Sequence, residues 1–401
     1  MESLKSFLQD ISGKKINFLV GSAASLPFLS TLNLGNNLPS FEEIVVSDLI
    51  DENNKIKLYA YFFEEIVKKS VLLETESDDF YNTTLKNYED LIEIFFNILN
   101  TEGNESPKRI NIFTTNYDLF FEKSFDNFNK KNNICYFNDG SGGFINRYVN
   151  ISNFHLNVTH SGINDFYKRE IPTINLFKMH GSSSWIKENN LIKVEFENKN
   201  ITELYNMVYP KSTTTSEENY NAKIKNFVLT KVTEITETLE RLNSEVKGLT
   251  NESAIFNSIN DGLSLINIDQ AYLDEFDNKY KEIPIINPNK WKFHDTIFNQ
   301  HYYQMIRSFS YELERKNSVL IVFGFSFADE HIRELFLRSL LNPTLKVYII
   351  CYNKDSKEKM KALLGNSTNI TYLPNKWTHN GSSLSGDIEY LKHLLRGKIN
   401  E

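Results

Sequence analysis

Four apolar runs of strand length punctuate this chain, and each stops abruptly at small or polar residues. Ile16 to Val20 gives way to Gly21-Ser22-Ala23-Ala24-Ser25, and Ile110-Asn111-Ile112-Phe113 to Thr114-Thr115-Asn116-Tyr117-Asp118. Ile171 to Met179 ends in His180-Gly181-Ser182, and Val319 to Phe323 in Gly324-Phe325-Ser326-Phe327-Ala328-Asp329-Glu330-His331. Short β-rich runs alternating with helical periodicity are the pattern of a parallel sheet buried on both faces. The fold predicted is α/β, a doubly wound parallel sheet of the Rossmann-like kind. Such sheets bind ligands beyond the carboxyl ends of their strands, so the polar residues at these four ends are the candidate site.

Helical patterns fill the intervals. Ser40-Phe41-Glu42-Glu43 is a capping box opening a helix through Leu49. Residues 56 to 100 are helical in pattern, with polar breaks at Glu76 to Asp79 and Thr101 to Pro107, and the block from about 40 to 100 is placed as a cap over the ligand. Its aromatic residues Tyr61, Phe62, Phe63, Phe95 and Phe96 read as core. Asp139 to Gly143, with three glycines, reads as a flexible loop, and His155 and His160 have no ligand partner at useful spacing.

The segment 189–282 interrupts the strand-helix alternation and is predicted to be a mainly helical insertion. Leu191 to Glu197 has the alternation of a short strand, and Thr215-Ser216-Glu217-Glu218 is a second capping box. Val228, Val232, Ile235, Leu239, Leu242, Val246 and Leu249 then form a heptad seam on one long amphipathic helix. That stripe requires a cover, either a second helix of the insertion or another chain. Sheet is expected to resume at Ile283 to Ile286. A helix over His294 to Arg315, strand 319–323, helix 328–340, strand 346–351, helix 355–364 and a last helix from Ser385 to Arg396 follow. The sheet domain is therefore residues 1–188 and 283–401, divided by the insertion.

Composition narrows the class. A chain of 401 residues at 40% apolar content buries a substantial core. No stretch approaches the roughly eighteen uninterrupted apolar residues of a membrane span, and the start, with Glu2 and Asp10 around a short apolar stretch, lacks the layout of a secretory signal. Two separated cysteines, Cys135 and Cys351, build no disulfide framework, which points to a reducing, cytoplasmic setting. A formal net charge of −8 argues against nucleic acid as a direct partner.

Taken in order, the Gly21 turn, TTNYD, the His180-Gly181 pair and the Gly324-Phe325-Ser326 turn resemble the sirtuin-like family, whose pattern is GAGxS, TxNxD, a histidine-glycine pair and a GxS turn. The wording TTNYD, KMHGS and GFSFADEHI is most similar to the bacterial branch used in antiphage defence, whose members hydrolyse NAD. The resemblance covers residues 12 to 190 and 280 to 375. It implies NAD+ as substrate, with Asn116 contacting the nicotinamide ribose and orienting water, Asp118 holding the carboxamide, and His180 bonding ribose hydroxyls or acting as base. It also implies cofactor-binding roles for Gly21, Ser22, Ala23, Ser25, Thr115, Gly324 and Ser326. His331 reads as structural.

Two departures matter. Ala23 stands where the family has a second glycine, and its methyl restricts the approach of a phosphate. The Cys-x-x-Cys pairs that hold zinc in deacylases are missing, so no metal is expected and peptide deacylation is disfavoured. Three readings follow: an NAD+ glycohydrolase acting as a regulated defence effector, a non-catalytic module sensing NAD or an ADP-ribose derivative, and, less favoured, a protein deacylase. The resemblance further implies a regulatory partner, a HerA-type ATPase, while the seven-member seam from Val228 to Leu249 leads to the expectation of a homo-oligomer, with the insertion around 215–250 as candidate interface for it or for the partner.

Overall fold

The computed structural model describes residues 7, 10–71, 78–101, 103, 108–131, 134–163, 168–208, 217–283, 285, 296–379 and 382–397. Its centre is a seven-stranded sheet. In chain order the strands are β1 (Lys15–Val20), β2 (Arg109–Thr114), β3 (Tyr136–Asn138), β4 (Thr173–Lys178), β5 (Ser318–Phe323), β6 (Lys346–Ile350) and β7 (Ile370–Leu373). They lie in the spatial order β7-β6-β5-β1-β2-β4-β3, and every neighbouring pair is parallel. The order reverses between β5 and β1, which puts a crevice at their carboxyl ends.

Alternation along each strand sends side chains to two cores. Phe18, Val20, Ile112, Leu176 and Ile321 join helices α3 (Asp79–Thr101), α4 (Phe120–Asn129) and α12 (Ile388–Leu395) on one face. Leu19, Phe113, Phe177, Leu320 and Ile349 pack on the other face with α9 (Thr296–Glu314), α10 (Glu330–Ser339) and α11 (Lys354–Leu364). Helices on both faces are what make the strands apolar without a polar side, and the doubly wound architecture stands.

The second face carries a buried amide ladder. Asn17, Asn111, Asn175 and Asn138 occupy one row across β1, β2, β4 and β3. Asn138 Nδ2 donates to Asn175 Oδ1 at 3.0 Å, Asn175 to Asn111 at 2.9 Å and Asn111 to Asn17 at 2.9 Å. Asn17 closes the row on Ser318 Oγ at 3.1 Å, and Ser318 donates in turn to the Glu312 carbonyl.

The cap and the insertion form one body. The capping box at Ser40 is made, with Glu43 N–H donating to Ser40 Oγ and Ser40 N–H to Glu43 Oε2, and it opens α1 (Phe41–Val46). Next comes α2 (Glu52–Phe62), which runs on through a π-helical turn, Phe63–Val67. The insertion contributes α5 (Lys199–Val208), α6 (Glu217–Glu245), α7 (Glu252–Ser264) and α8 (Gln270–Tyr280). Val232, Ile235, Leu239, Leu242 and Val246 of the seam are buried in one cluster with Phe41, Leu58, Phe62 and Phe63 of the cap and Ile259 and Leu263 of α7. The stripe is thus covered by this chain itself along these five positions. Polar ties lock the contact: Asn54 Nδ2 donates to Asn260 Oδ1 at 2.8 Å, and Lys57 Nζ to the Leu263 carbonyl at 2.8 Å.

Three local expectations are corrected. Of the run Ile283 to Ile286, the described residues Ile283 and Ile285 do not join the sheet: Ile283 N–H closes on the Tyr280 carbonyl of α8 and Ile285 makes an isolated antiparallel bridge to Gly181, while residues 284 and 286 lie outside the described residues. Asp139 to Gly143 is a folded hairpin arm, since Ser141–Gly142 pairs with Arg147–Val149 and Arg147 Nη2 sits 2.9 Å from Asp139 Oδ2. Ile370–Leu373 is an edge strand where no element had been expected. The capping box at Thr215 and Ser216, and Val228 of the seam by its side chain, lie outside the described residues. Among the described residues no helix is long and apolar enough to cross a membrane.

Candidate functional site

At the crevice, the turns after β1 and β5 are pressed together. Ala23 N–H donates to the Gly324 carbonyl at 3.2 Å, and Gly21 N–H to the Phe323 carbonyl at 3.0 Å. A Cβ on Gly21 would lie 2.4 Å from Gly324 O, and one on Gly324, whose φ is +67°, would lie 2.7 Å from Ala24 N. Both glycines are therefore required by the contact between the two turns. The Ala23 N–H is used within this contact, so Ala23 brings its methyl and not a free donor to the site.

The turn after β2 is held from behind. Thr114 Oγ1 donates to the Val20 carbonyl at 2.9 Å and accepts from Asn116 N–H at 3.0 Å, which ties the turn to β1. Asn116 Nδ2 donates to the Gly21 carbonyl at 3.1 Å and to Ser25 Oγ at 3.2 Å. A carbonyl only accepts, so the amide orientation is fixed by its partners. Asn116 Oδ1 is left buried without a hydrogen-bond partner among the described residues, on a side chain that lines the cavity described below. An orphaned acceptor of this kind is costly unless something occupies it.

Asp118 is gripped at both oxygens. Ser25 Oγ donates to Oδ2 at 2.7 Å and Phe120 N–H donates to Oδ1 at 3.2 Å. Because the single Ser25 proton goes to Asp118, the Tyr88 hydroxyl, 2.8 Å away, must be the donor to Ser25. Burial, with the Asp118 carboxylate beside it, raises the Tyr88 phenol well above its usual range and keeps it protonated for that role. Ser25 is consequently saturated, accepting from Asn116 and Tyr88 and donating to Asp118. It joins the site residues to each other and has no hydrogen left for a phosphate.

His180 follows β4 and Met179. Its Nε2 lies 3.1 Å from Asp329 Oδ2, yet the approach is off the N–H direction and Nε2 makes no hydrogen bond among the described residues. The carboxylate is thus a close neighbour of the ring without a hydrogen bond to it, and Nε2 keeps its hydrogen-bonding capacity. Asp329 is itself fixed as the N-cap of α10, where Oδ1 accepts from Ile332 N–H at 3.1 Å.

These groups surround one cavity of about 410 Å³, within the range of small-molecule sites. Ser22, Ala23, Ser25, Thr115, Asn116, Asp118, His180, Gly324 and Ser326 all line it, and Gly21 stands immediately behind through its carbonyl. Leu29, Leu32, Phe62 and Ile66 supply an apolar wall, with Phe62 and Ile66 coming from the cap. The sequence reading missed Tyr88 and Asp329. Tyr88 sits in the middle of an apolar helix pattern, whereas Asp329 carried a legible signal: it is the acidic N-cap of a helix that starts just after a strand-end turn.

Residues 110–234 match the family model described as a SIR2-like domain. The match contains both TTNYD and His180-Gly181, supports a sirtuin-like family and fits NAD-dependent activity in general. A search of curated proteins finds no match.

Proposed function

We propose that the protein is an NAD+ glycohydrolase that releases nicotinamide and ADP-ribose. The observation carrying this reading is the buried, unpartnered Oδ1 of Asn116, on a side chain lining a cavity at the sheet's switch point with His180 on the same wall. Hydrolysis breaks the bond between ribose C1′ and the nicotinamide nitrogen; the electron pair leaves with the ring and neutralises its charge, while water supplies hydroxyl to C1′ and loses a proton. The leaving group departs neutral, so what the protein must provide is placed acceptors for ribose hydroxyls and water. Asn116 Oδ1 is one such acceptor, and His180 Nε2, beside the Asp329 carboxylate, is the group suited to bind a ribose hydroxyl or take the released proton. Asp118, already accepting from Ser25 and Phe120, is assigned to the carboxamide. Ser22, Thr115 and Ser326 line the remaining polar wall.

Hydrolysis without an acceptor peptide depletes the cell's own cofactor, so this reading carries regulation with it. We assign the protein to antiphage defence as an effector held in check by assembly or by a separate ATPase of the HerA type, on the strength of its motif wording. Val232, Ile235, Leu239, Leu242 and Val246 of the seam are buried against the cap and α7, so we assign such an interface to surface other than these five positions.

Purified protein incubated with NAD+ is expected to release nicotinamide and ADP-ribose in equal amounts. Chelators should leave that rate unchanged, and elemental analysis should show no stoichiometric zinc. Tight NAD binding with no nicotinamide released would favour a sensing module in place of a hydrolase, for which the methyl of Ala23 in the first turn is the specific motive.

A further inference from the structure

Behind the catalytic turn lies a buried cation that the reaction scheme does not use. Lys178, the last residue of β4, is almost fully enclosed. Its ammonium donates to the backbone carbonyl of Asp118 and, at 3.5 Å, to that of Asn116, and it pairs with Glu122 Oε1 of α4 at 3.3 Å. The carbonyl between these two, that of Tyr117, accepts from Ser183 N–H and Ser183 Oγ, each at 3.0 Å. All three carbonyls of the turn are therefore anchored on β4 and the segment after it. An Asn-Tyr-Asp turn outside regular structure has no ladder to fix it, and these anchors stand in for one.

We propose that Lys178 is a positioning residue for the site: by clamping the carbonyls of Asn116 and Asp118 it sets where their side chains stand in the cavity. This rests on the hydrolase reading for its consequence in rate, though not for its consequence in backbone order. An ammonium suits the task because it offers three donors and takes one contact with each of Asn116, Asp118 and Glu122. The counter-ion is itself constrained: burial pushes the Glu122 carboxyl above its usual range, with Lys178 opposing that shift and Asp118 and Asp139 adding to it. Burial thus works against the Glu122 charge, whereas the two carbonyls accept from the cation whatever the state of the carboxyl.

The test uses the full chain carrying Lys178→Met, which keeps the stem and removes the donors, and Lys178→Gln, which keeps a donor on a shorter stem. Nicotinamide release is measured per NAD-binding site counted by calorimetry, alongside hydrogen exchange of the amides at 115–119. Expected for Lys178→Met is a fall in kcat on the order of 10- to 100-fold with KM moved much less, since misplacement by about 1 Å can cost that much. Exchange at 115–119 should quicken, and Lys178→Gln should fall between Met and wild type. Wild-type kcat per binding site in Lys178→Met would overturn the proposal, as would unchanged exchange at those amides. If Lys178→Met does not fold, the same two measurements on Lys178→Gln decide. A wild-type protein that releases no nicotinamide removes the hydrolase reading only, and the exchange measurement then judges Lys178 by itself.

Discussion

Asn116→Ala is expected to reduce nicotinamide release by on the order of 10²- to 10³-fold, the usual cost of deleting one placed polar group that acts on a transition state. The substitution also removes two donated hydrogen bonds, to the Gly21 carbonyl at 3.1 Å and to Ser25 Oγ at 3.2 Å. The Gly21 carbonyl keeps the Ala24 N–H at 3.0 Å, so the cost is that of two ordinary hydrogen bonds, about 1 kcal/mol each. The two effects are separable by size. A domain with about 5–15 kcal/mol of stability stays overwhelmingly folded after losing about 2, so lost folding cannot produce a hundredfold loss of rate. Thermal unfolding recorded beside the rate makes the distinction, and near wild-type turnover in a folded Asn116→Ala protein would remove the side chain from the chemistry.

Ile235→Asp should be the most damaging single change to stability. Ile235 is fully buried where α6 meets the cap, in the cluster that includes Leu58, Phe62, Leu239 and Ile259. The lost apolar burial is worth about 2–3 kcal/mol, and a carboxylate placed there without a partner adds several more, for a total above about 4 kcal/mol. For a chain of this size that corresponds to a fall of about 5 °C in the unfolding midpoint. Because Phe62 and Ile66 wall the cavity, nicotinamide release should fall with it. Leu249→Asp is the control: that residue ends the same seam but is 47% exposed, and its change should stay within about 0.5 kcal/mol. An Ile235→Asp protein that melts like wild type but changes its mass in light scattering would mean that the seam serves an interface between chains.

Much of the sheet could be read from the chain because burial on both faces makes a strand continuously apolar. Val319 to Phe323 and Ile16 to Val20 were legible for that reason, as were the polar residues that stop them. Ile283 was misread for the same reason: an apolar residue that closes a helix has the composition of a strand, and Ile285 meets the single residue Gly181 across an isolated bridge. Ile370–Leu373 escaped because Thr371 is exposed at the sheet's edge and breaks the apolar run. Within the site, the residues at strand ends were foreseeable, but their mutual ties were not. That Ser25 links Asp118, Asn116 and Tyr88 depends on side chains 63 to 93 positions apart, which no local pattern reports.

The asparagine row across β1, β2, β4 and β3 has a consequence for how this protein can change over generations. Each inner member is at once the donor to one neighbour and the acceptor from the next, so no position can be replaced alone without stranding a partner. Asn111→Val would leave Asn17 Oδ1 without its donor, at about 1–3 kcal/mol, and Asn175 Nδ2 with the Phe154 carbonyl at 3.4 Å in place of two acceptors. Replacing Asn17, Asn111, Asn175 and Asn138 all by valine should cost less than the sum of the four single changes, because the bonds inside the row then lose both partners at once, while the outward bonds, such as Gly140 N–H to Asn138 Oδ1 at 3.0 Å and Asn138 Nδ2 to the Asn153 carbonyl at 2.9 Å, are still lost. The row is thus an evolutionary ratchet: easier to keep, or to lose whole, than to erode one residue at a time.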